Sequence, residues 1–125
     1  MNRRRMMMQN RVVNLFDKNN ADITFKARLL SNGVILFGGD VQANKSFVSY
    51  FVSVEYGKSY TLIRKPIDTS NSAYNRWVFY NKSKSCIGNG SSIVEVNTIT
   101  IPENCYYIKF IGLIDDIDNV KFYKA

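Results

Sequence analysis

Ser46-Phe47-Val48-Ser49-Tyr50-Phe51-Val52-Ser53-Val54-Glu55-Tyr56-Gly57-Lys58-Ser59-Tyr60-Thr61-Leu62-Ile63 decides the fold class. Its first half is β-branched and aromatic nearly throughout, which suits a pleated, half-buried surface. Side chains alternate across a strand, so Tyr50, Val52, Val54 and Tyr56 share one face while Phe51, Ser53 and Glu55 take the other. Glu55-Tyr56-Gly57-Lys58 interrupts the run, and Gly57 is free to take a positive φ there. Ser59 to Ile63 then restarts it. Two strands joined this way either pair as a hairpin or pass from one sheet to a facing one.

The rest of the chain repeats this kind of segment. Arg11 to Phe16 reads as a short strand. Ala21 to Leu30 alternates Ile23, Phe25, Ala27 and Leu29 with Asp22, Thr24, Lys26 and Arg28, the pattern of a half-buried strand. Val34 to Phe37, Tyr74 to Tyr80, Ser85 to Ile87, Ile93 to Ile101, Cys105 to Leu113 and Val120 to Tyr123 follow as further strands. Gly88-Asn89-Gly90-Ser91-Ser92 reads as a flexible loop, and Arg64 to Ala73 as the longest loop, with Pro66 ending ladder pairing. Roughly eight to ten short strands about 8–12 residues apart predict an all-β sandwich or barrel. The predicted core includes Phe25, Val52, Leu62, Phe79, Ile101, Ile108 and Phe110.

At 125 residues the chain is long enough for one domain with a single core. The net charge is +7, from 17 Lys and Arg against 10 Asp and Glu. Arg3, Arg4, Arg5 and Arg11 lie in an acid-free opening stretch, and without them the balance is 13 against 10, only +3. Residues 1–11 are therefore a basic arm and residues 12–125 the β-sandwich domain. The basic character belongs to the arm, which argues against a nucleic-acid-binding face on the domain. Met6, Met7 and Met8 follow the arginines. Arginine gives bidentate pairing to carboxylates, and methionine fills uneven apolar grooves, so this arm suits docking on a partner. No run of 18 apolar residues spans a membrane, and Met6-Met7-Met8 is too short for a signal-peptide core, so no Sec export is expected.

Histidine is absent, which removes the commonest general base and the commonest metal ligand. No cofactor motif and no nucleophile–base set is present, and the chain reads as non-enzymatic. Cys86 and Cys105 could form a disulfide, since sequence separation does not fix their distance, but they read first as reduced, half-buried strand residues. Tyr74, Arg76 and Tyr80, with Asn71 in the adjacent loop, form a candidate glycan-binding group: a ring for the sugar face, polar side chains for its hydroxyls. Alternation puts Trp77 on the opposite face of that strand, toward the core. Asp115, Asp116 and Asp118 form a weak calcium candidate that lacks EF-hand spacing.

The order of segments is familiar. Asn14-Leu15-Phe16-Asp17-Lys18 opens the domain, and Val54 to Thr61 forms a strand–turn–strand. Arg76-Trp77-Val78-Phe79-Tyr80-Asn81-Lys82-Ser83 and Ile99-Thr100-Ile101-Pro102-Glu103-Asn104-Cys105-Tyr106-Tyr107-Ile108-Lys109-Phe110 come next, and Asp118-Asn119-Val120-Lys121-Phe122 closes it. This resembles the carbohydrate-binding-module-like jelly rolls on virion proteins of tailed bacteriophages, in tails, baseplates, fibres and capsid decorations. The resemblance covers about Asn14 to Tyr123. It implies an antiparallel jelly-roll-like sandwich and a place in the virion, among capsid or fibre and tail proteins. It also implies either a structural role, as capsid decoration or fibre-associated protein, or recognition of a host-surface glycan. Several arms would be presented at once by a homo-oligomer such as a trimer.

Overall fold

A computed structural model describes residues 13–21, 27–37 and 46–125. These form strands β1 (Ala27–Leu29), β2 (Ile35–Phe37), β3 (Ser46–Val48), β4 (Val52–Ser53), β5 (Ser59–Ile63), β6 (Arg76–Tyr80), β7 (Cys86–Ser91), β8 (Val96–Thr100), β9 (Tyr107–Leu113) and β10 (Lys121–Lys124). Every pairing is antiparallel. One sheet has three strands in the order β10-β5-β8, and a larger sheet runs β3-β9-β6-β7 with β4 also on β9. The two sheets enclose the main core, and β1 and β2 form a separate hairpin. The chain is an all-β antiparallel sandwich. Among the described residues no helix is long and apolar enough to cross a membrane.

The deciding stretch crosses between sheets: β4 pairs with β9 and β5 with β8 and β10. Gly57, at φ 79°, makes the turn between them. β3 and β4 are one strand broken at Ser49, and a side chain mends the break. Ser49 N–H donates to Phe110 O (2.9 Å), and its hydroxyl accepts from Phe110 N–H (3.0 Å). The hydroxyl stands in for the carbonyl that the irregular backbone turns away, so no buried donor is orphaned.

Alternation places the inner core as expected. Val52, Leu62, Phe79, Ile101, Ile108 and Phe110 are all buried in it, with Phe16, Phe47, Tyr60 and Phe122. Phe110 touches the rings of Phe16, Phe47 and Phe122 at centroid distances of 5.4, 6.3 and 5.5 Å. Trp77 lies half-buried against the same cluster. Phe25 lies outside the described residues.

Two expectations are corrected. Residues 13–16 are not a regular strand; they run beside β10 through one backbone bond, Leu15 N to Phe122 O at 2.7 Å. The Asn14 side chain supplies the rest, donating to Val120 O and accepting from Phe122 N. Gly88 to Ser91 is not a loop but most of strand β7. The aromatic rings of β6 lie over its glycines: a Cβ on Gly90 would stand 2.6 Å from Trp77 Cε2, and one on Gly88 3.5 Å from Phe79 Cδ2. Glycine at 90 leaves room for the Trp77 ring rather than freeing the chain. The calcium candidates Asp115, Asp116 and Asp118 lie in a 3-10 helix, Ile114–Asn119.

Candidate functional site

The outer face of the larger sheet carries a second core. Leu29, Val48, Val78, Tyr80 and Ile111 are buried there, with Ile35, Phe51, Ile67, Cys86 and Tyr107 half-buried around them. Leu29 and Ile35 come from the β1–β2 hairpin, which roofs the sheet. Lys109 Nζ sits 4.2 Å from the Phe51 ring centroid and Lys84 Nζ 5.0 Å, so cations cover the rim of the cluster.

This roof takes Tyr80 out of the glycan group drawn from β6. Tyr80 is 5% exposed, packed edge-on to Phe51, with its hydroxyl beside Gly33. It offers no face to a sugar. The half-buried Tyr74 ring carries the Arg28 guanidinium 4.5 Å from its centroid. Arg76 Nη1 donates to Asn89 Oδ1 at 3.0 Å. Asn71 is exposed, but its side-chain oxygen accepts from Ala73 N–H and caps the short 3-10 turn Ser72–Tyr74. Tyr74 and Arg76 therefore stabilise this end of the sheet and do not form a stacking platform with Tyr80.

The aspartates do not converge either. Asp118 pairs with Lys18 Nζ, Asp116 accepts from Asn119 Nδ2 at 2.8 Å, and Asp115 faces solvent. Among the described residues no group of three His, Cys, Asp or Glu side chains could hold a metal ion. Cys86 and Cys105 are both free thiols, in the outer and inner clusters respectively. Burial pushes the Cys105 thiol above its ordinary pKa, although backbone hydrogen bonds at Tyr80 and Tyr107 pull the other way. The arm residues Arg3, Arg4, Arg5, Met6, Met7, Met8 and Arg11 lie outside the described residues.

Sequence reasoning missed a buried guanidinium. Arg64 is fully buried and donates to four carbonyls: Ile111 O (3.1 Å), Val94 O (3.0 Å), Asn75 O (2.9 Å) and Ser92 O (3.2 Å). Desolvation lowers its pKa to about 10, so it remains charged at neutral pH. Asn75, also fully buried, accepts from Ile67 N and donates to Asp68 O and Asn71 O. Together they fix the loop 64–75 and tie it to β9 and to the turn before β8. One signal was available: Arg64 continues the inward phase of Tyr60 and Leu62.

An open groove of about 430 Å³ remains, lined by Val54, Glu55, Tyr56, Cys105 and Tyr106. Tyr56 is 59% exposed and Tyr106 43%. The groove's backbone is fixed by Val54 N to Tyr106 O (3.0 Å) and Gly57 N to Ile101 O (2.9 Å), and Tyr60 Oη accepts from Glu55 N–H (3.0 Å). Lys124 Nζ stands 3.0 Å from Glu55 Oε1. Two exposed phenol rings, a carboxylate and an ammonium group thus lie on a rigid frame. A second groove, about 390 Å³, lies between Asn14, Phe16 and Asp17 on one side and Ile117, Asp118 and Val120 on the other. The Lys18–Asp118 pair spans it.

Comparison with known protein families, with curated proteins and with solved structures finds no match to this chain.

Proposed function

We propose that this chain is a non-enzymatic structural component of a tailed-phage virion, a capsid decoration or fibre-associated protein of jelly-roll type docked through its N-terminal arm. The observation that carries the reading is the contrast between arm and domain. Residues 1–11 hold four arginines, three contiguous methionines and no acid, whereas the remaining chain is nearly balanced in charge. The sandwich behind the arm draws its inner core from Phe16 to Phe122. A rigid body with an arginine–methionine arm suits attachment to an acidic, partly apolar groove on another virion protein. Ordering the arm costs roughly 1–2 kcal/mol per residue in backbone entropy, so both kinds of contact are needed, and several copies would add avidity. The test is to delete residues 1–11 and measure incorporation into particles alongside the stability of the isolated domain. Loss of incorporation with the fold retained is the expected result. Full occupancy by the truncated protein would reduce the arm to a tail.

A second reading is favoured by the Tyr56–Tyr106 groove. Exposed rings stack on the apolar faces of pyranoses while Glu55 accepts from hydroxyls, so this groove replaces the β6 group as the glycan candidate. Screening the full chain against a glycan array, with Tyr56→Ala and Tyr106→Ala as controls, tests it. Binding that survives both substitutions, or no binding at all, removes the groove as a sugar site.

A further inference from the structure

Asparagine is followed by glycine twice, at Asn32-Gly33 and Asn89-Gly90. Such a pair is chemically reactive. The asparagine carboxamide is an electrophile, and the next backbone nitrogen reaches it most readily when glycine leaves that nitrogen unhindered. Both asparagines are exposed. Their surroundings differ, and the difference separates a reactive pair from a guarded one.

Asn89 is held in strand β7. Its side-chain oxygen accepts from Arg76 Nη1 at 3.0 Å, which draws the carboxamide sideways toward β6. Ser92 N donates to Asn75 O, and Trp77 faces Gly90 in the register, so Gly90 is in phase with Ser92 and its N–H lies in the β6–β7 ladder. The Trp77 ring lies over Gly90 as well. Asn32 sits instead in the turn that joins β1 to β2. Its side-chain oxygen accepts from Val34 N–H at 3.0 Å, two residues on in its own chain. An oxygen held there folds the carboxamide carbon back over the intervening Gly33 nitrogen. Gly33 N–H donates to Leu30 O at 2.9 Å, at the exposed end of a hairpin of three-residue strands. A bond at such an end opens more cheaply than one inside the longer β6–β7 ladder.

We infer that Asn32-Gly33 is a self-modifying site, where deamidation to isoaspartate loosens the hairpin roof. Gly33 N gives its proton to solvent hydroxide and attacks Asn32 Cγ, forming a new C–N bond. The carboxamide oxygen takes the developing charge against the Val34 N–H. The bond from Cγ to the amide nitrogen then breaks. Ammonia leaves with a proton from water, which regenerates hydroxide, and a cyclic imide remains. Water reopens the imide at either carbonyl. One opening gives aspartate. The other gives isoaspartate, whose main chain runs through Cβ and is one atom longer. The turn has no slack for that atom. A Cβ on Gly33 would already stand 2.8 Å from Tyr80 Oη, and Cys86 Sγ donates to Ser31 O at 3.5 Å. The lengthened turn therefore lifts from Tyr80 and uncovers Cys86.

The inference is independent of the arm and of the Tyr56–Tyr106 groove. The experiment ages the full chain in mildly alkaline buffer, folded and in denaturant, and maps both peptides for aspartate and isoaspartate by chromatography and mass spectrometry. In denaturant the two pairs should convert at similar rates. In the folded chain Asn32 should convert at least about tenfold faster than Asn89, as a group already placed for attack does. The isoaspartate fraction should alkylate Cys86 several-fold faster than fresh protein, with Cys105 unchanged. Freshly prepared Asn32→Asp carries the new charge without the extra atom and should leave Cys86 at the wild-type rate. Equal conversion at the two sites of the folded chain overturns the inference, as does an Asn32 that stays intact while the denatured chain converts. Cys86 labelling that isoaspartate leaves unchanged, or that Asn32→Asp raises equally, overturns the loosening of the roof.

Discussion

The inner and outer faces of the larger sheet are both buried, but by different means. The inner face is closed by a second sheet, and its core is largely aromatic, with Phe16, Phe47, Tyr60, Phe110 and Phe122 linked ring to ring. The outer face is closed by a hairpin of two three-residue strands, over a smaller cluster rimmed by Lys84 and Lys109. A two-stranded hairpin is marginal by itself, so the roof is held by Leu29 and Ile35 more than by its own ladder. The same sheet thus has one face built for stability and one that is easier to open.

The largest expected effect tests the inner face. Phe110→Ala should cost about 3–5 kcal/mol in denaturant unfolding, because a fully buried ring with three aromatic neighbours leaves a cavity that cannot collapse. A loss under about 1 kcal/mol, the size of a surface change, would erase the contrast. Next is the staple at one end of the sandwich. Arg64→Met should cost about 2–4 kcal/mol, since four carbonyls lose their donor. The net is held down by removing a desolvated charge. A neutral result would mean that loop 64–75 holds its place without the guanidinium. Leu29→Ala, under the roof, should cost about 2–3 kcal/mol. It should also speed exchange of the Leu30 and Leu36 amides while those of β5 stay protected, and uniform acceleration would make the two cores a single cooperative unit.

The smallest effect needs no destabilisation. Cys86, half-buried in the outer cluster, should alkylate at least about tenfold faster than Cys105, whose burial both blocks reagent and disfavours the thiolate. The same raised pKa has a sign for stability. Between the ordinary thiol range and the folded value the unfolded chain has lost the proton and the folded chain keeps it. The contribution of Cys105 is therefore complete below the ordinary thiol range and declines as pH rises through and above it. Cys105→Ala should flatten that part of the pH–stability curve. Equal labelling rates at the two thiols would show that the inner core opens as readily as the outer one.

The inner core was legible because period-two alternation is a local property: Val52, Leu62, Phe79, Ile101, Ile108 and Phe110 declare their face within a few residues. What covers the other face is not local. Val78 and Tyr80 show the same alternation whether water or a hairpin from residues 27–37 lies over them, which is why Tyr80 reads as a binding residue and folds as core. Gly88 and Gly90 read as loop because glycine usually signals freedom, and the Trp77 ring that excludes a Cβ at Gly90 comes from the neighbouring strand. Arg64 keeps the phase of Tyr60 and Leu62, but its charge argues for solvent until four distant carbonyls are brought to it. The candidate groove suffers similarly, since Tyr56 and Tyr106 are fifty positions apart and are brought together by long-range bonds such as Val54 N to Tyr106 O and Gly57 N to Ile101 O.

The strand order also sets a timetable. β5 finds its partners at Thr98 and Tyr123, far along the chain from Thr61. During synthesis the stretch Ser59 to Ile63 leaves the ribosome with neither neighbour yet made, and at roughly 5–20 residues per second it waits several seconds for the last of them. Closing such distant pairs is slow in any case, because loop entropy is lost before the contacts compensate. The β-rich half-chain must pass that interval with its edges open, which makes the nascent protein the state most exposed to mispairing.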